Sequence, residues 1–240
     1  MRTKSELRYP AKWIVILVLA IISVICVKLV YDLQLASGRR PYRFIFWNVF
    51  LAWLPAAFMV LMDWALLLPA GRFRQLAASG FFVLWLVFYP NAAYLVTDLL
   101  HVFVNYPVNP EARFWTVMPF WDHLLALFLT AVLGLLLSSF TLLSIHTEVR
   151  RRLGSAAGWV FACLMLGIGS FGIYIGRFIR WNTWDLWQNP RMIARDLPDL
   201  VFAAGQRSFA AHFCIKLFMV TFIFYTALYF FGYLHADRRG

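Results

Sequence analysis

The sequence contains few charged residues: only 14% of its 240 residues are Asp, Glu, Lys or Arg, whereas 62% are hydrophobic. A soluble globular chain is nearer a quarter charged and half apolar, so this composition excludes an ordinary water-soluble domain. It also excludes a disordered chain, because the apolar residues outnumber the charged ones more than fourfold.

Cysteine is scarce as well, and the three residues Cys26, Cys163 and Cys214 are far apart in the sequence. Each lies within an apolar run, which predicts small buried side chains rather than a disulfide or a metal cluster. The HExxH and GxSxG signatures of hydrolases and any internal repeat are also absent. The sequence therefore carries no established catalytic motif.

Long apolar runs dominate what is present. A bilayer core about 30 Å thick needs roughly 20 mostly apolar helical residues, and the short alternating segments of a membrane barrel are absent. We therefore predict an all-α polytopic transmembrane helix bundle, a single integral domain over residues 1–240 that contacts the lipid bilayer of the cell (inner) membrane. The six predicted spans are 13–33, 44–68, 76–100, 121–145, 156–179 and 209–234.

The formal net charge of +11 does not indicate a nucleic-acid partner, because the cations lie in clusters between the apolar runs. If the N-terminus is inside, eleven Lys and Arg residues lie in the inner segments and nine in the outer ones. The four cations before the first span and the Arg150–Arg152 run favour the inner side. We therefore predict that both termini are cytoplasmic.

Polar residues recur along the third predicted span at spacings of three and four, which places them on one helix face. Polar groups at membrane depth are costly unless they face protein or a water-filled cavity. We expect this face to point inward, either as a candidate site or as a hydrogen-bonded seam between helices. Its members are Asn91, Tyr94, Asp98, His101 and Asn105.

The fourth predicted span opens with Asp122 and His123, on the side of the membrane where the third span ends. Asp98 and His101 are then expected to approach them. Two carboxylates and two imidazoles suit a divalent metal ion or a proton relay, although the spacing matches no known metal motif. The alternative is that Asp122 is the N-cap of its helix.

Arginines follow a glycine-rich run at the end of the fifth predicted span. The run Gly169, Gly172 and Gly176 allows close packing of another helix, including one from a partner membrane protein. Arg177 and Arg180, one helical turn apart, can bind a phosphate or carboxylate in a bidentate manner, or pair with an aspartate. Other polar residues expected at this outer face are Asn48, Trp181, Asn182, Trp184 and Asp185.

Two further polar groups are assigned to the inner face. We expect Asp63 to pair with Arg72 or Arg74, and we expect His146 and Glu148 to lie with the arginine run at a solvated helix end.

Three segments of the sequence, FYPNAAYLVTDLLH, FWDHLL and GSFGIYIGRFIRWNTWD, resemble a family of bacterial membrane proteins called domain of unknown function 1361. The likeness extends from Trp47 to the sixth span, and the sequence departs from the family pattern by having Tyr89 between Phe88 and Pro90. The resemblance implies a polytopic topology and no established activity. Its pattern falls on Pro90, Asn91, Tyr94, Thr97, Asp98, Asp122, Gly176, Arg177, Arg180, Trp181, Asn182, Trp184 and Asp185.

Three functions remain open from the sequence. The first is a protein that binds or acts on an anionic, phosphorylated or lipid-linked substrate at the outer face, with Asp98, His101, Asp122 and His123 providing acid-base or metal chemistry. The second is a small transporter or channel, and the third is a non-catalytic membrane subunit or assembly factor. We favour a protein with a site at the outer face and leave open whether it is an enzyme.

Overall fold

The computed structural model describes residues 9–106, 111, 113–181, 188–191, 195 and 204–236. No β-strand occurs among these residues, which confirms the all-α prediction. The α-helices are α1 (Tyr9–Asp32), α2 (Phe44–Leu67), α3 (Arg72–Tyr94), α4 (Leu100–Asn105), α5 (Met118–Leu153), α6 (Ser155–Tyr174) and α7 (Ala204–Ala236).

Six helical segments of the described chain are long and apolar enough to cross a membrane, which confirms the predicted number of spans. Helices form here because the backbone of a lipid-exposed segment must satisfy its hydrogen bonds internally. The segments are Pro10–Asp32, Phe44–Leu67, Arg72–Asn105, Met118–Leu153, Ser155–Ile179 and Phe209–Gly232.

The chain divides into two compact units, Met1–Thr141 and Leu142–Gly240, hereafter unit 1 and unit 2. Unit 1 contains α1 to α4 and the first part of α5, and it buries an apolar core that includes Ile45, Leu95 and Leu127. Unit 2 contains the remainder of α5 together with α6 and α7.

The sequence pattern predicts one uniform helix for the third span, but the structure divides this span into three segments. The α-helix continues through Pro90, and a 3-10 segment, Leu95–Leu99, joins α3 to α4. α5 passes very close to this junction at Gly134, where an added Cβ would lie 2.3 Å from the carbonyl oxygen of Ala92. Only a glycine permits this approach without a shift of the backbone.

The opposite end of unit 1 is fixed by a nearly buried ion pair between α1 and α2. Lys12 Nζ lies 2.5 Å from Asp63 Oδ2, and the Asp63 side chain is 5% exposed. The sequence pattern predicts Arg72 or Arg74 as the partner of Asp63, whereas the structure pairs it with Lys12. Lys12 lies in the first turn of an apolar helix, where a cation is also typical of a topological charge.

Unit 2 corrects the expectation that His146 lies at a solvated helix end, because His146 is completely buried. Its Nδ1 lies 2.5 Å from the Tyr225 hydroxyl oxygen, and its ring stacks on Tyr229 and meets the edge of Trp159. An added Cβ at Gly158 would lie 2.8 Å from the imidazole. α5 therefore remains packed against α6 and α7 beyond the predicted end of its span.

Candidate functional site

The candidate site begins at Asp98, a carboxylate inside unit 1 that is only 1% exposed. The 3-10 segment between α3 and α4 carries Asp98, and α2 supplies its partner: Asn48 Nδ2 donates a hydrogen bond of 2.8 Å to Asp98 Oδ2. Burying a carboxylate near a membrane face costs free energy unless the group is hydrogen bonded, and such groups commonly mark a functional site. Asn48 and Asp98, which the sequence analysis placed at the same membrane face, are thus in direct contact.

His101 lies one turn further along the same segment. Its Nδ1 is 3.9 Å from Asp98 Oδ1 and 3.1 Å from the Asp98 backbone oxygen. Because the Nδ1 side of the ring faces Asp98, Nε2 is the nitrogen left for proton exchange. The side chain is 31% exposed, so the imidazole is not enclosed within unit 1.

Two further residues hold His101 in place. The ring of Phe44, the first residue of α2, packs against the imidazole with a centroid distance of 4.4 Å. Asn105 Nδ2 donates a hydrogen bond of 2.9 Å to the His101 backbone oxygen. The imidazole is thereby oriented by a hydrogen bond to the Asp98 backbone oxygen on one side and by an aromatic ring on another, with the Asp98 carboxylate nearby, as a general acid or base requires.

A second imidazole, His123 of α5, is paired with Tyr42 in the connection before α2. The two residues are both 2% exposed, and the Tyr42 hydroxyl oxygen lies 2.9 Å from His123 Nδ1. Burial raises the pKa of Tyr42 to about 12, although a hydrogen bond with Asn105 lowers it. The phenol therefore keeps its proton at neutral pH and can donate it to Nδ1. Tyr106 packs edge-on against the same imidazole at 5.1 Å.

These contacts form one polar network at a single membrane face of unit 1, where α1 and the third span end and α2 and α5 begin. Asn105 connects its two halves, because it bonds both His101 and Tyr42. We call this set the unit 1 network. Its members are Tyr42, Asn48, Asp98, His101, Asn105 and His123.

The expected gathering of two carboxylates and two histidines around a metal is not what this part of the chain shows. Within the described residues, no three His, Cys, Asp or Glu side chains come together in a way that could hold a metal ion. Asp122 is exposed, whereas its neighbour His123 is buried. Asp122 is not an N-cap either, because α5 already begins at Met118, and a proline at 119 is tolerated in a first helical turn.

The N-terminal part of the predicted polar face, Asn91 and Tyr94, is less buried than Asp98. Asn91 and Tyr94 are half-buried in the last turn of α3, and both take part in interactions. Thr97 is buried, and its hydroxyl donates a hydrogen bond to the Tyr94 carbonyl oxygen. The change to a 3-10 helix after Tyr94 alters the register, so the face predicted from α-helical spacing does not continue unchanged to His101.

The predicted arginine pair lies in unit 2 on an unusual backbone. Residues Ile175–Ile179 form a π turn that carries Arg177, and Arg180 follows in a left-handed conformation with φ +65°. The wider turn changes the register between the two arginines from that of an α-helix. Arg177 is half-buried and Arg180 is exposed. A non-glycine residue in this conformation is strained, and such strain is common at functional sites.

Aromatic rings pack around this turn. Phe178 lies 5.0 Å from Phe209 and 4.9 Å from Phe213 of α7, and 5.4 Å from Tyr174. Trp181 is half-buried, whereas the predicted site residues Asn182, Trp184 and Asp185 lie outside the described residues.

The glycine run on α6 is partly occupied within the chain itself. Gly169 is buried, and the Cys214 thiol of α7 lies 3.8 Å from the carbonyl oxygen of the adjacent Ser170. Gly172 and Gly176 are half-buried. α6 therefore contacts α7 at the residue next to the first of the three glycines.

The sequence analysis missed Tyr42, Phe44 and the role of Asn105 in joining the two histidines. Tyr42 and Phe44 were not considered because they flank a span rather than lie within a polar pattern. The available signal was topological: the start of α2 lies at the same face as the end of the third span, so aromatic residues there are placed to pack on His101 and His123.

Comparison with known proteins places most of the chain in one family. The sequence model described as Protein of unknown function (DUF1361) matches residues 47–229, a range that includes Asn48, Asp98, His101 and Arg177 but not Tyr42. No curated protein and no solved structure matches the chain significantly.

Proposed function

The chain belongs to the family described as Protein of unknown function (DUF1361), and we propose that this multi-pass membrane protein acts on an anionic or lipid-linked substrate at the unit 1 network. We place the network at the extracytoplasmic face of the bacterial inner membrane. In this proposal His101 transfers a proton to or from the substrate.

The observation that carries the proposal is the pairing of a buried carboxylate with a partly exposed imidazole. Asp98 is 1% exposed and receives a hydrogen bond from Asn48, while the His101 side chain beside it is 31% exposed. A buried carboxylate that orients a histidine is a recurring arrangement for general acid-base catalysis. Asp98 is then a positioning residue, and His101 is the group that meets the substrate.

The buried Tyr42–His123 pair is linked to His101 and is further evidence for a site at this position. The phenol holds the second imidazole through a hydrogen bond of 2.9 Å, and Asn105 connects it to the backbone of His101. A network of fully bonded polar groups is rigid, which is what a proton-transfer site needs. We also propose that Arg177 and Arg180 bind an anionic group with their guanidinium N–H donors.

The experiment compares membrane extracts of a strain that lacks the gene and carries the wild type, His101→Gln or Arg74→Gln. Mass spectrometry of anionic and lipid-linked compounds is the measurement, with equal protein levels confirmed in the membrane. Arg74 is the control because it is a half-buried cation in the first turn of α3, at the opposite end of unit 1.

We expect a compound to accumulate in the deletion strain, to disappear with the wild type and Arg74→Gln, and to persist with His101→Gln. Loss of a general acid or base lowers turnover by about 10²–10⁴-fold. A wild-type profile with His101→Gln would contradict the proposal, and so would a deletion strain whose profile is unchanged.

A further inference from the structure

Three arginines lie in the connection between α1 and α2, at the same face of unit 1 as the network. Arg39 and Arg43 are exposed, and Arg40 is half-buried. This connection carries three cations, and the acid closest to it in the sequence, Asp32, pairs with Lys28 at 2.7 Å. Within the described part of the chain, no carboxylate lies at ion-pairing distance from any of the three guanidinium groups.

The backbone of this connection is ordered by its own hydrogen bonds. Gly38 adopts φ +75° and donates a bond of 2.8 Å to the Leu35 carbonyl oxygen, while the Leu35 N–H donates one of 3.0 Å to the Arg39 carbonyl oxygen. These bonds close a turn that leads directly into Arg39 and Arg40. The arginines are thus presented by a defined turn.

Arg40 is oriented further by a cation–π contact. Its Cζ lies 3.9 Å from the centroid of the Tyr31 ring. A guanidinium group that covers an aromatic face with its plane keeps the N–H donors at its edge for a planar or tetrahedral anion. The contact with Tyr31 therefore restrains the Arg40 side chain without neutralising its charge, so that its N–H donors can bind a phosphate.

The arginines are also joined directly to the network. Tyr42, which bonds His123, lies between Arg40 and Arg43 in the sequence, and Phe44, which packs on His101, follows Arg43 immediately. Arg43 therefore immediately precedes, in the sequence, the ring that packs against the candidate proton-transfer histidine.

We propose that Arg39, Arg40 and Arg43 form a binding site for a phosphate group and so define the substrate of unit 1 as a phosphomonoester or phosphodiester. This inference rests on the proposed function for the place of the reaction, and it adds the chemical class of the substrate. The phosphate belongs either to a lipid headgroup or to a molecule free in solution.

The test uses the full chain purified in an uncharged detergent. Its thermal unfolding is followed as sodium phosphate is added, with sodium chloride at equal ionic strength as the reference. Native mass spectrometry then counts the phosphatidylglycerol molecules retained when the protein is extracted from vesicles of phosphatidylcholine with phosphatidylglycerol. The variants are the triple change R39Q/R40Q/R43Q and, as the matched control, R72Q/R74Q at the opposite end of unit 1.

We expect phosphate to stabilise the wild type and the control, and the triple variant to bind it at least about tenfold more weakly, since each charge-assisted hydrogen bond contributes substantially to affinity. If only phosphatidylglycerol retention is lost in the triple variant, the phosphate is that of a lipid headgroup. If only the response to inorganic phosphate is lost, the ligand is soluble. Equal losses in both variants, or no loss in either, would overturn the proposal.

Should the triple variant fail to fold, Arg40→Lys replaces it. This change keeps the charge but removes the planar donor over the Tyr31 ring, and a smaller weakening of phosphate binding is expected. Failure of this inference is distinguishable from failure of the proposed function, because His101→Gln abolishes turnover while leaving the arginines and their phosphate affinity intact.

Discussion

Replacing Gly134 with alanine tests the close approach of α5 to the end of α3, which positions the segment that carries Asp98. The added Cβ would lie 2.3 Å from the Ala92 carbonyl oxygen and 2.9 Å from Leu95 Cβ, whereas ordinary contact begins at about 3.4 Å. The helix must therefore move by about 1 Å. The obstructing atom belongs to the backbone, so no rotamer change relieves the clash.

The magnitude follows from comparison with Gly80→Ala, in α3, where an added Cβ meets nothing within 4 Å. Both changes gain about 0.8–1.0 kcal/mol from the higher helix propensity of alanine. Overpacking costs typically 1–3 kcal/mol, and we expect it at Gly134 alone. Because the propensity gain cancels between the two variants, Gly134→Ala should be about 1–3 kcal/mol less stable than Gly80→Ala.

The assay is reversible unfolding of the full chain in mixed micelles, followed by circular dichroism as the fraction of denaturing detergent is raised. A stability of Gly134→Ala equal to that of Gly80→Ala would refute the packing argument at this junction.

Other outcomes are expected from the contacts in unit 1. In Tyr42→Phe, the loss of a buried hydrogen bond should cost about 1–3 kcal/mol. In the folded wild type the pKa of Tyr42 is raised from 10.0 to about 12, so the free energy of unfolding should fall as the pH rises from 10 through 12. The Tyr42→Phe variant should show no such fall in parallel unfolding curves. Lys12→Met should destabilise the protein by about 3–5 kcal/mol because it removes the Lys12 charge from the buried Asp63 carboxylate, and Asp63→Leu in the same chain should restore part of this in the same assay. In a cysteine-free background, His101→Cys should react with an impermeant maleimide on intact cells and Arg74→Cys only after permeabilisation; the reverse would place the network in the cytoplasm.

The sequence was sufficient to predict the six spans, because a run of apolar residues long enough to cross a bilayer has few alternatives to a helix. The sequence was also sufficient to predict that Asp98 and His101 lie close together, since residues three apart on a helix share a face. The contact between Asn48 and Asp98 required the helices to pack, and the sequence analysis could place both residues only at the same membrane face.

The rest depended on tertiary contacts or on local departures from the α-helical period. The 3-10 segment at Leu95–Leu99 and the π turn at Ile175–Ile179 leave no periodic signal, so the spacing of Arg177 and Arg180 was assigned to an ordinary helix. The charged residues that follow His146 predict a solvated helix end, whereas Tyr225, 79 positions away, helps to bury its ring. Pairings of this range are invisible in a single sequence.

The central claim is that Asp98 and His101 act as one proton-transfer unit, and a double-mutant cycle on turnover tests it most directly. Isolated membranes that contain the wild type, Asp98→Asn, His101→Gln or both changes are supplied with the compound that accumulates in the deletion strain, and its rate of loss is measured at equal protein levels. Groups that act as a unit show strongly non-additive losses. We expect the double variant to be no slower than His101→Gln alone, with both at least about a hundredfold slower than the wild type. Losses that multiply in the double variant, or a His101→Gln protein that turns over the compound at the wild-type rate, would contradict the account.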